Sequence, residues 1–451
     1  MGNPNDTIAA IATPNGVGAI GIIRVSGPEA LQMVNPLFPA KDLSKVPSHT
    51  LHFGPLKYQD VLLDEVLLSV FKAPHSYTGE HSVEISCHGS PYILQKVMEC
   101  LIAQGIRPAE AGEFTMRAFL NGKLDLSQAE AVADLIVSET SAAHQAALHQ
   151  MRGGFANKIR DLRTQLLNFT SLIELELDFA EEDVEFAHRP HLVALLEEIA
   201  GEVEQLIASF RLGNVIKSGV KIVLAGRPNA GKSTLLNALL NEERAIVSPI
   251  AGTTRDAIED TLIMEGIRFR FIDTAGIRDA EDSLESIGIA RTHEKLREAQ
   301  IIVYLYDVNT LTEEELLSDM ATMPQDKEII LVANKMDAIN TATLPKREGH
   351  LYIAAKNGDN IELLKSTLIQ RLHLNARPGD DTIITNIRHF HALQRIMEAI
   401  HNIKSGMHSG LSSDLLVIDI RRALHEMGEI SGEISSDEIL GNIFSKFCIG
   451  K

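Results

Sequence analysis

Apolar and polar positions fall into three rhythms along the chain. In 19–27, 66–74 and 81–89 (AIGIIRVSG, VLLSVFKAP, HSVEISCHG), β-branched and apolar residues form short runs closed by turn formers, which predicts strands. Pro91 to Gln104 and Gly112 to Leu120 carry helical spacing. From about 119 to 213 an i, i+3, i+4 apolar stripe continues with few breakers, Gly153-Gly154 being the exception. The acidic cluster Glu181-Glu182-Asp183 reads as a solvated connection, and after Pro190 an amphipathic helix is expected over His191 to Phe210. Residues 216–378 alternate apolar strand-like runs with helical stretches, at the spacing of a doubly wound sheet. Ile387–Ser405, Ser412–Gly428 and Ser436–Phe447 then return to the helical period. About 70 residues of helix make a poor core alone, so the simplest packing sets them against 119–213. The middle domain then becomes an insertion in a helical one.

Chemistry enters at KIVLAGRPNAGKS (221–233). The apolar run Ile222 to Ala225 predicts a buried strand that breaks at Gly226, and a helix is expected from about Lys232. The spacing Gly226-x-x-x-x-Gly231-Lys232-Ser233 is that of a phosphate-binding loop. Glycines let consecutive backbone N–H groups converge on phosphates, with Asn229, Ala230, Gly231, Lys232, Ser233 and Thr234 as the nucleotide-binding residues; Lys232 adds a cation and Ser233 a hydroxyl for Mg²⁺. Asp273-Thr274-Ala275-Gly276 follows the apolar run Phe269 to Ile272, with Asp273 suited to hold Mg²⁺ through water and the Gly276 N–H to face a γ-phosphate. Asn334-Lys335-Met336-Asp337 follows another strand-like run; the Asp337 carboxylate matches both N–H donors of a guanine edge, and Asn334 ties this loop to the phosphate loop. Ala354-Ala355-Lys356 offers a backbone N–H to the guanine carbonyl. Four motifs in order, each at a strand end, mark a guanine-nucleotide domain. The fold class expected is multi-domain α/β: an N-terminal α/β domain over 1–118, a discontinuous α-helical bundle over 119–215 and 379–451, and an inserted P-loop (Ras-like) GTPase domain over 216–378.

Hydrolysis poses a problem. Small signalling GTPases carry a water-orienting glutamine directly after Asp-x-x-Gly, but here that position is Ile277. The carboxylates of RDAEDSLESIG are substitutes, and Arg255 and Arg278 are the arginines available in cis. Asn229 reads equally as a loop-stabilising amide or as a ligand for a monovalent cation that supplies the missing charge.

A formal net charge of −19 argues against broad nonspecific nucleic-acid binding while allowing a local basic patch. Three cysteines without metal or disulfide spacing suit a reducing compartment. No signal pattern or membrane-length apolar run is present, so a cytoplasmic protein with no membrane contact is expected.

DTIAAIATPNGVGAIGIIRVSG (6–27), YTGEHSVEISCHG (77–89), GEFTMRAFLNGKLDLSQAEAVADLI (112–136), GRPNAGKSTLLNALL (226–240) and the final CIGK (448–451) closely resemble the MnmE (TrmE) family of tRNA modification GTPases, essentially over the full length. The resemblance implies an N-terminal domain similar to folate-dependent one-carbon proteins, which binds 5-formyltetrahydrofolate through Arg24, Glu84, Lys123 and Lys451. Read alone, the first three are ordinary surface or salt-bridge charges. It further implies homodimers through the N-terminal domains, Mg²⁺ on Ser233 and Thr254, and K⁺ surrounded by Asn229, Ser248, Ile250 and Thr253. Glu285 matches the family's water-orienting carboxylate. With its FAD- and NADH-using partner MnmG, in a heterotetramer, the family installs a carboxymethylaminomethyl or aminomethyl group at C5 of the wobble uridine of certain tRNAs, drawing a carbon from methylene-tetrahydrofolate. Cys448, beside the folate-contacting end, is either a nucleophile or a packing thiol. Ala354 stands where the family often has serine, and Ser248 where threonine also occurs. The rival reading is a switch GTPase of RNA or ribosome assembly, disfavoured because no dedicated basic RNA-binding domain is appended.

Overall fold

The computed structural model of the protein describes residues 6–178, 189–241, 259–272, 295–339, 347–372 and 383–451. The chain forms two compact units. One comprises Met1–Val137, Ala147–Ile207 and Ile387–Lys451, the other Ser138–Ala146 and Ala208–Asn386.

In the first unit, strands β1 (Ile8–Ile11), β2 (Ile20–Ser26), β3 (Thr50–Tyr58), β4 (Val61–Phe71), β5 (Ser82–His88) and β6 (Arg107–Pro108) form one sheet in the order β3-β4-β5-β2-β1-β6. All neighbours are antiparallel except β1 and β6. Alternation sorts the faces: in β5, Val83, Ile85 and Cys87 are buried, while Glu84 and Ser86 between them are only partly so. Helices α1 (Ala30–Val34) and α2 (Pro91–Ala103) cover the apolar face, where Leu94, Val97 and Leu101 join Ile23, Val25, Leu68, Val70 and Ile85 in one core. The opposite face sets Arg24 in register with Glu84 and exposes Leu51, Phe53 and Leu67. Strand β3 escapes sequence reading because Gly54 and Pro55 interrupt it. Proline is tolerated here since β3 is an edge strand.

Helix α3 (Glu113–Leu120) leads into α4 (Leu126–Ile136), which opens on a capping box. The Gln128 N–H donates to Asp125 Oδ1 at 2.8 Å and the Asp125 N–H to Gln128 Oε1 at 2.9 Å. Helices α5 (Ser141–Met151) and α6 (Gly154–Asp178) are separated at Gly153, whose φ of +99° ends the first of them. Helix α7 (Arg189–Ser218) runs on past Phe210 to Gly219, in the left-handed region at φ +74°.

The second unit is a doubly wound sheet. Its elements are β7 (Val220–Ala225), α8 (Lys232–Asn241), β8 (Glu259–Met264), β9 (Ile267–Ile272), β10 (Ile301–Asp307), α9 (Glu313–Ala321), β11 (Glu328–Asn334), β12 (His350–Tyr352) and α10 (Ile361–Arg371). The strand order is β12-β11-β10-β7-β9-β8, parallel except for the edge strand β8. Its central strands are almost continuously apolar because helices bury both faces. Ile222, Leu224, Val303 and Leu305 pack to one side, Val223, Tyr304 and Leu316 to the other. The chain leaves β7, flanked by β9 and β10, at the sheet's C-terminal edge, where such folds open a ligand crevice.

Helices α11 (Ile387–His408), α12 (Ser413–Ser431) and α13 (Asp437–Phe444) return to the first unit. Helix α12 packs against both α11 and α6, and Arg163 of α6 pairs with Glu433 at 2.6 Å. The last residues thread back onto the N-terminal sheet: Ile449 bridges Ala111, and Gly450 (φ +95°) lies so close that a Cβ there would meet the Ile11 carbonyl oxygen at 2.5 Å.

Candidate functional site

The phosphate loop hangs between β7 and α8. Gly226 (φ +136°) is required by crowding as well as conformation, since a Cβ would sit 2.0 Å from the Leu305 carbonyl oxygen; at Gly231 (φ +97°) it would meet Asn334 Nδ2 at 2.3 Å. Asn229 also takes a left-handed φ of 59°, which Asn tolerates better than most residues. Lys232, buried, donates from Nζ to the carbonyls of Gly226 (2.5 Å) and Arg227 (3.0 Å). Ser233 and Thr234 are exposed in the first turn of α8, at the positive end of its dipole.

The guanine-reading motif follows β11. Asn334 is 3 % exposed; its Nδ2 donates to the Ala230 carbonyl at 2.8 Å and its Oδ1 accepts from the Ala355 N–H at 3.0 Å. Thus Asn334 makes the tie to the phosphate loop read from the sequence. The Ala355 N–H is engaged by Asn334, and the Ala354 N–H by the Asp359 carbonyl at 3.1 Å. Lys335 (φ 64°) donates from Nζ to Asp307 Oδ2 at 2.8 Å. Burial alone would raise the Asp307 carboxyl, and Lys335 holds it below the ordinary range. Asp337, on a single 3-10 turn, and Lys356 are exposed. Ser248, Ile250, Thr253, Thr254, Arg255, Asp273, Thr274, Ala275, Gly276, Ile277, Arg278 and Glu285 lie outside the described residues.

A second cluster stands on the N-terminal sheet. Arg24 Nε donates to Glu84 Oε1 at 2.9 Å, and its guanidinium lies 5.4 Å from the Tyr77 ring centroid and 5.7 Å from that of Phe114. Burial, and then the neighbouring Arg24 charge, push the Lys451 ammonium below its ordinary value. The returning tail is seated against Ile11 of β1, whose register partner on β2 is Ile23, next to Arg24 in sequence, and Cys448 on the tail is exposed. Lys123 belongs to an adjoining loop, its Nζ donating to the Pro74 carbonyl at 3.0 Å. Among the described residues no hydrogen bond or ion pair joins it to Arg24 or Glu84. Tyr77 and Phe114 were not singled out in the sequence, since an aromatic that flanks an arginine gives no periodic signal.

A parallel sheet with a phosphate loop after its central strand, and a guanine-reading loop hydrogen-bonded to that loop, defines a P-loop GTPase, a GTP hydrolase. Residues 7–123 match the family model described as GTP-binding protein TrmE N-terminus, and 126–448 match that of the MnmE helical domain. The chain is 54 % identical to the tRNA modification GTPase MnmE of Christiangramia forsetii over 99 % of both chains. It is 52 % identical to those of Cytophaga hutchinsonii, over 100 % of this chain and 98 % of the relative, and Flavobacterium johnsoniae, over 99 % of both. It belongs to the MnmE family of tRNA modification GTPases. No helix among the described residues is long and apolar enough to cross a membrane.

Proposed function

We propose that this protein acts in the cytoplasm with MnmG, an FAD- and NADH-using partner, to install a carboxymethylaminomethyl or aminomethyl group at C5 of the wobble uridine of certain tRNAs. The carbon comes from methylene-tetrahydrofolate and GTP hydrolysis controls the process. The observation that carries this reading is the return of the CIGK tail onto β1, beside the strand that bears Arg24 and its partner Glu84, in a chain whose other unit is a GTPase. A guanidinium flanked by two aromatic rings, with an ammonium close by, fits a flat heterocycle bearing carboxylates, as a folate does. Lys123 joins this set from the adjoining loop, and Cys448 is its candidate nucleophile. Exposed Leu51, Phe53 and Leu67 on the same face fit the apolar contact of a homodimer.

In the GTPase unit, Lys232 and the N–H groups of the phosphate loop hold the phosphates, and Asp337 and the 354–356 loop read guanine. The exposed Ser233 hydroxyl fits Mg²⁺, with Thr254 and Asp273 completing the set. Asn229, with Ser248, Ile250 and Thr253, would hold K⁺, which supplies positive charge where the phosphate develops negative charge. Glu285 orients the water, with Arg255 and Arg278 as further cations.

Mass spectrometry of nucleosides from total tRNA, with and without this gene in its host, tests the reading. The C5-substituted wobble uridines should vanish on deletion and return with wild type but not with Asp273→Ala. An unchanged profile would overturn it in favour of a GTPase of RNA assembly.

A further inference from the structure

Arg227 occupies the first variable position of the phosphate loop, GRPNAGKS. Its side chain is drawn away to helix α9: Nε donates to Asp319 Oδ2 at 2.8 Å, Nη2 to Asp319 Oδ1 at 3.1 Å and Nη1 to Glu315 Oε1 at 2.6 Å. Asp319 also accepts from the hydroxyl of Tyr304, a core residue of β10 that is 1 % exposed. Glu315 is tied down independently, as the third residue of a capping box in which Thr312 donates both its N–H and its hydroxyl to Oε2 at 3.0 Å. Both acceptors thus have a fixed partner besides Arg227.

The pairs are partly exposed, with Arg227 and Glu315 each more than two-fifths accessible. Surface ion pairs of this kind contribute little to folding. A planar fork held at three points by two anchored carboxylates does, however, fix direction. What it fixes is the backbone at Arg227, whose carbonyl is one of the two that hold Lys232.

The clamp also completes a ring. Helix α9 is joined to β10 by a turn in which Asp307 accepts from the Asn309 N–H at 2.9 Å and from Lys335 at 2.8 Å, while Asn309 Nδ2 donates to the Lys335 carbonyl at 3.3 Å. Asn334, next to Lys335, returns to the phosphate loop at Ala230. The phosphate loop, α9, the β10–α9 turn and the guanine-reading loop are therefore connected in a closed circuit.

We propose that Arg227 is a positioning residue of the GTPase: clamped to Glu315 and Asp319, it fixes the carbonyl that holds Lys232 and closes the circuit between the phosphate-binding and guanine-binding loops, so that bound nucleotide leaves more slowly than it would without the clamp. The residue touches no substrate; it acts through Lys232 and α9. The observed contacts and the GTPase activity carry this inference, which does not depend on folate, K⁺ or a partner protein.

The test is release of a fluorescent GDP analogue from the full chain by stopped flow, with thermal unfolding and steady-state KM and kcat followed in parallel. Arg227→Ala and Asp319→Asn should each release the nucleotide about tenfold faster, the factor that corresponds to about 1.4 kcal/mol. Because both cut the same clamp, the double variant should be no faster than either single one. Arg227→Lys keeps the charge but loses the fork, and should recover less than half of the effect on a logarithmic scale. Glu315→Gln preserves the capping box and serves if Arg227→Ala fails to fold; it should release the nucleotide several-fold faster. A merely structural role would lower the unfolding temperature without changing release well below it. Release within twofold of wild type in folded single variants, or additive effects in the double variant, would overturn the proposal.

Discussion

Asn334 donates to the Ala230 carbonyl at 2.8 Å from a side chain that is 3 % exposed, so one buried amide joins the loop that reads guanine to the loop that holds phosphate. Its oxygen accepts from Ala355, so a third loop depends on it. Asn334→Ala leaves a carbonyl and an N–H without these partners. At about 1 kcal/mol for each lost bond, the second unit should lose about 2 kcal/mol of stability. Nucleotide affinity should fall with it, by at least about tenfold. Denaturant unfolding and GDP titration of the same variant check both numbers.

Glu130 of α4 is 7 % exposed and accepts from Arg388 at 2.8 Å, with His389 also at 2.8 Å. Burial alone would raise its carboxyl, but the charges of His389 and Arg388 outweigh burial and hold it down at about 2. A carboxyl depressed in the folded state stabilises that state fully above its unfolded value, and the gain is lost as pH falls toward the folded value. The first unit should therefore lose about 3 kcal/mol between pH about 4.5 and about 2 through this group. In Glu130→Gln that part of the slope should be missing, and stability near neutrality should fall by about 3 kcal/mol, because the partly buried Arg388 guanidinium loses its buried counterion. Unfolding free energies measured across this pH range decide it.

Gly450 holds the returning tail against β1 with a left-handed φ of +95° and no room for a side chain. Gly450→Ala should displace Lys451 from Arg24 while leaving the GTPase unit untouched. Binding of 5-formyltetrahydrofolate, followed by calorimetry, should weaken at least about tenfold, with GTP hydrolysis unchanged. Full folate affinity in this variant would remove Lys451 from the site.

Hydrolysis should run much faster in KCl than in NaCl, and Asn229→Ala should erase that difference. Equal rates in the two salts for the wild type would remove the cation assigned to Asn229 and leave its amide a loop-stabilising role, for which its left-handed φ of 59° is already suited.

The phosphate loop was legible because it depends on a backbone geometry that few residues allow. Gly226 and Gly231 pack against Leu305 and Asn334 too closely for any Cβ, so their spacing carries the fold with it. The strands of the second unit were equally plain, since burial on both faces leaves unbroken apolar runs such as Ile301 to Leu305. Strand β3 was hidden by Gly54 and Pro55, whose cost an edge position removes. Neither Tyr77 and Phe114 beside Arg24 nor the carboxylates that hold Arg227 could be read, because each contact joins residues from separate elements and leaves no trace in local spacing. The proximity of Lys451 to Arg24 came from resemblance alone; no periodicity encodes where a tail returns.

The bridge between Ala111 and Ile449 also dictates an order of assembly. The second unit is drawn almost wholly from one continuous stretch, Ala208–Asn386, and every strand of its sheet finds its partners within that stretch. The first unit waits for α11 to α13, and for the tail that returns onto β1, until all of that stretch has been synthesised. Loop-closure entropy grows only slowly with length, so the delay is one of time more than of stability. On an elongating ribosome the sheet that carries the phosphate loop could form while the Arg24 cluster still lacked the returning tail.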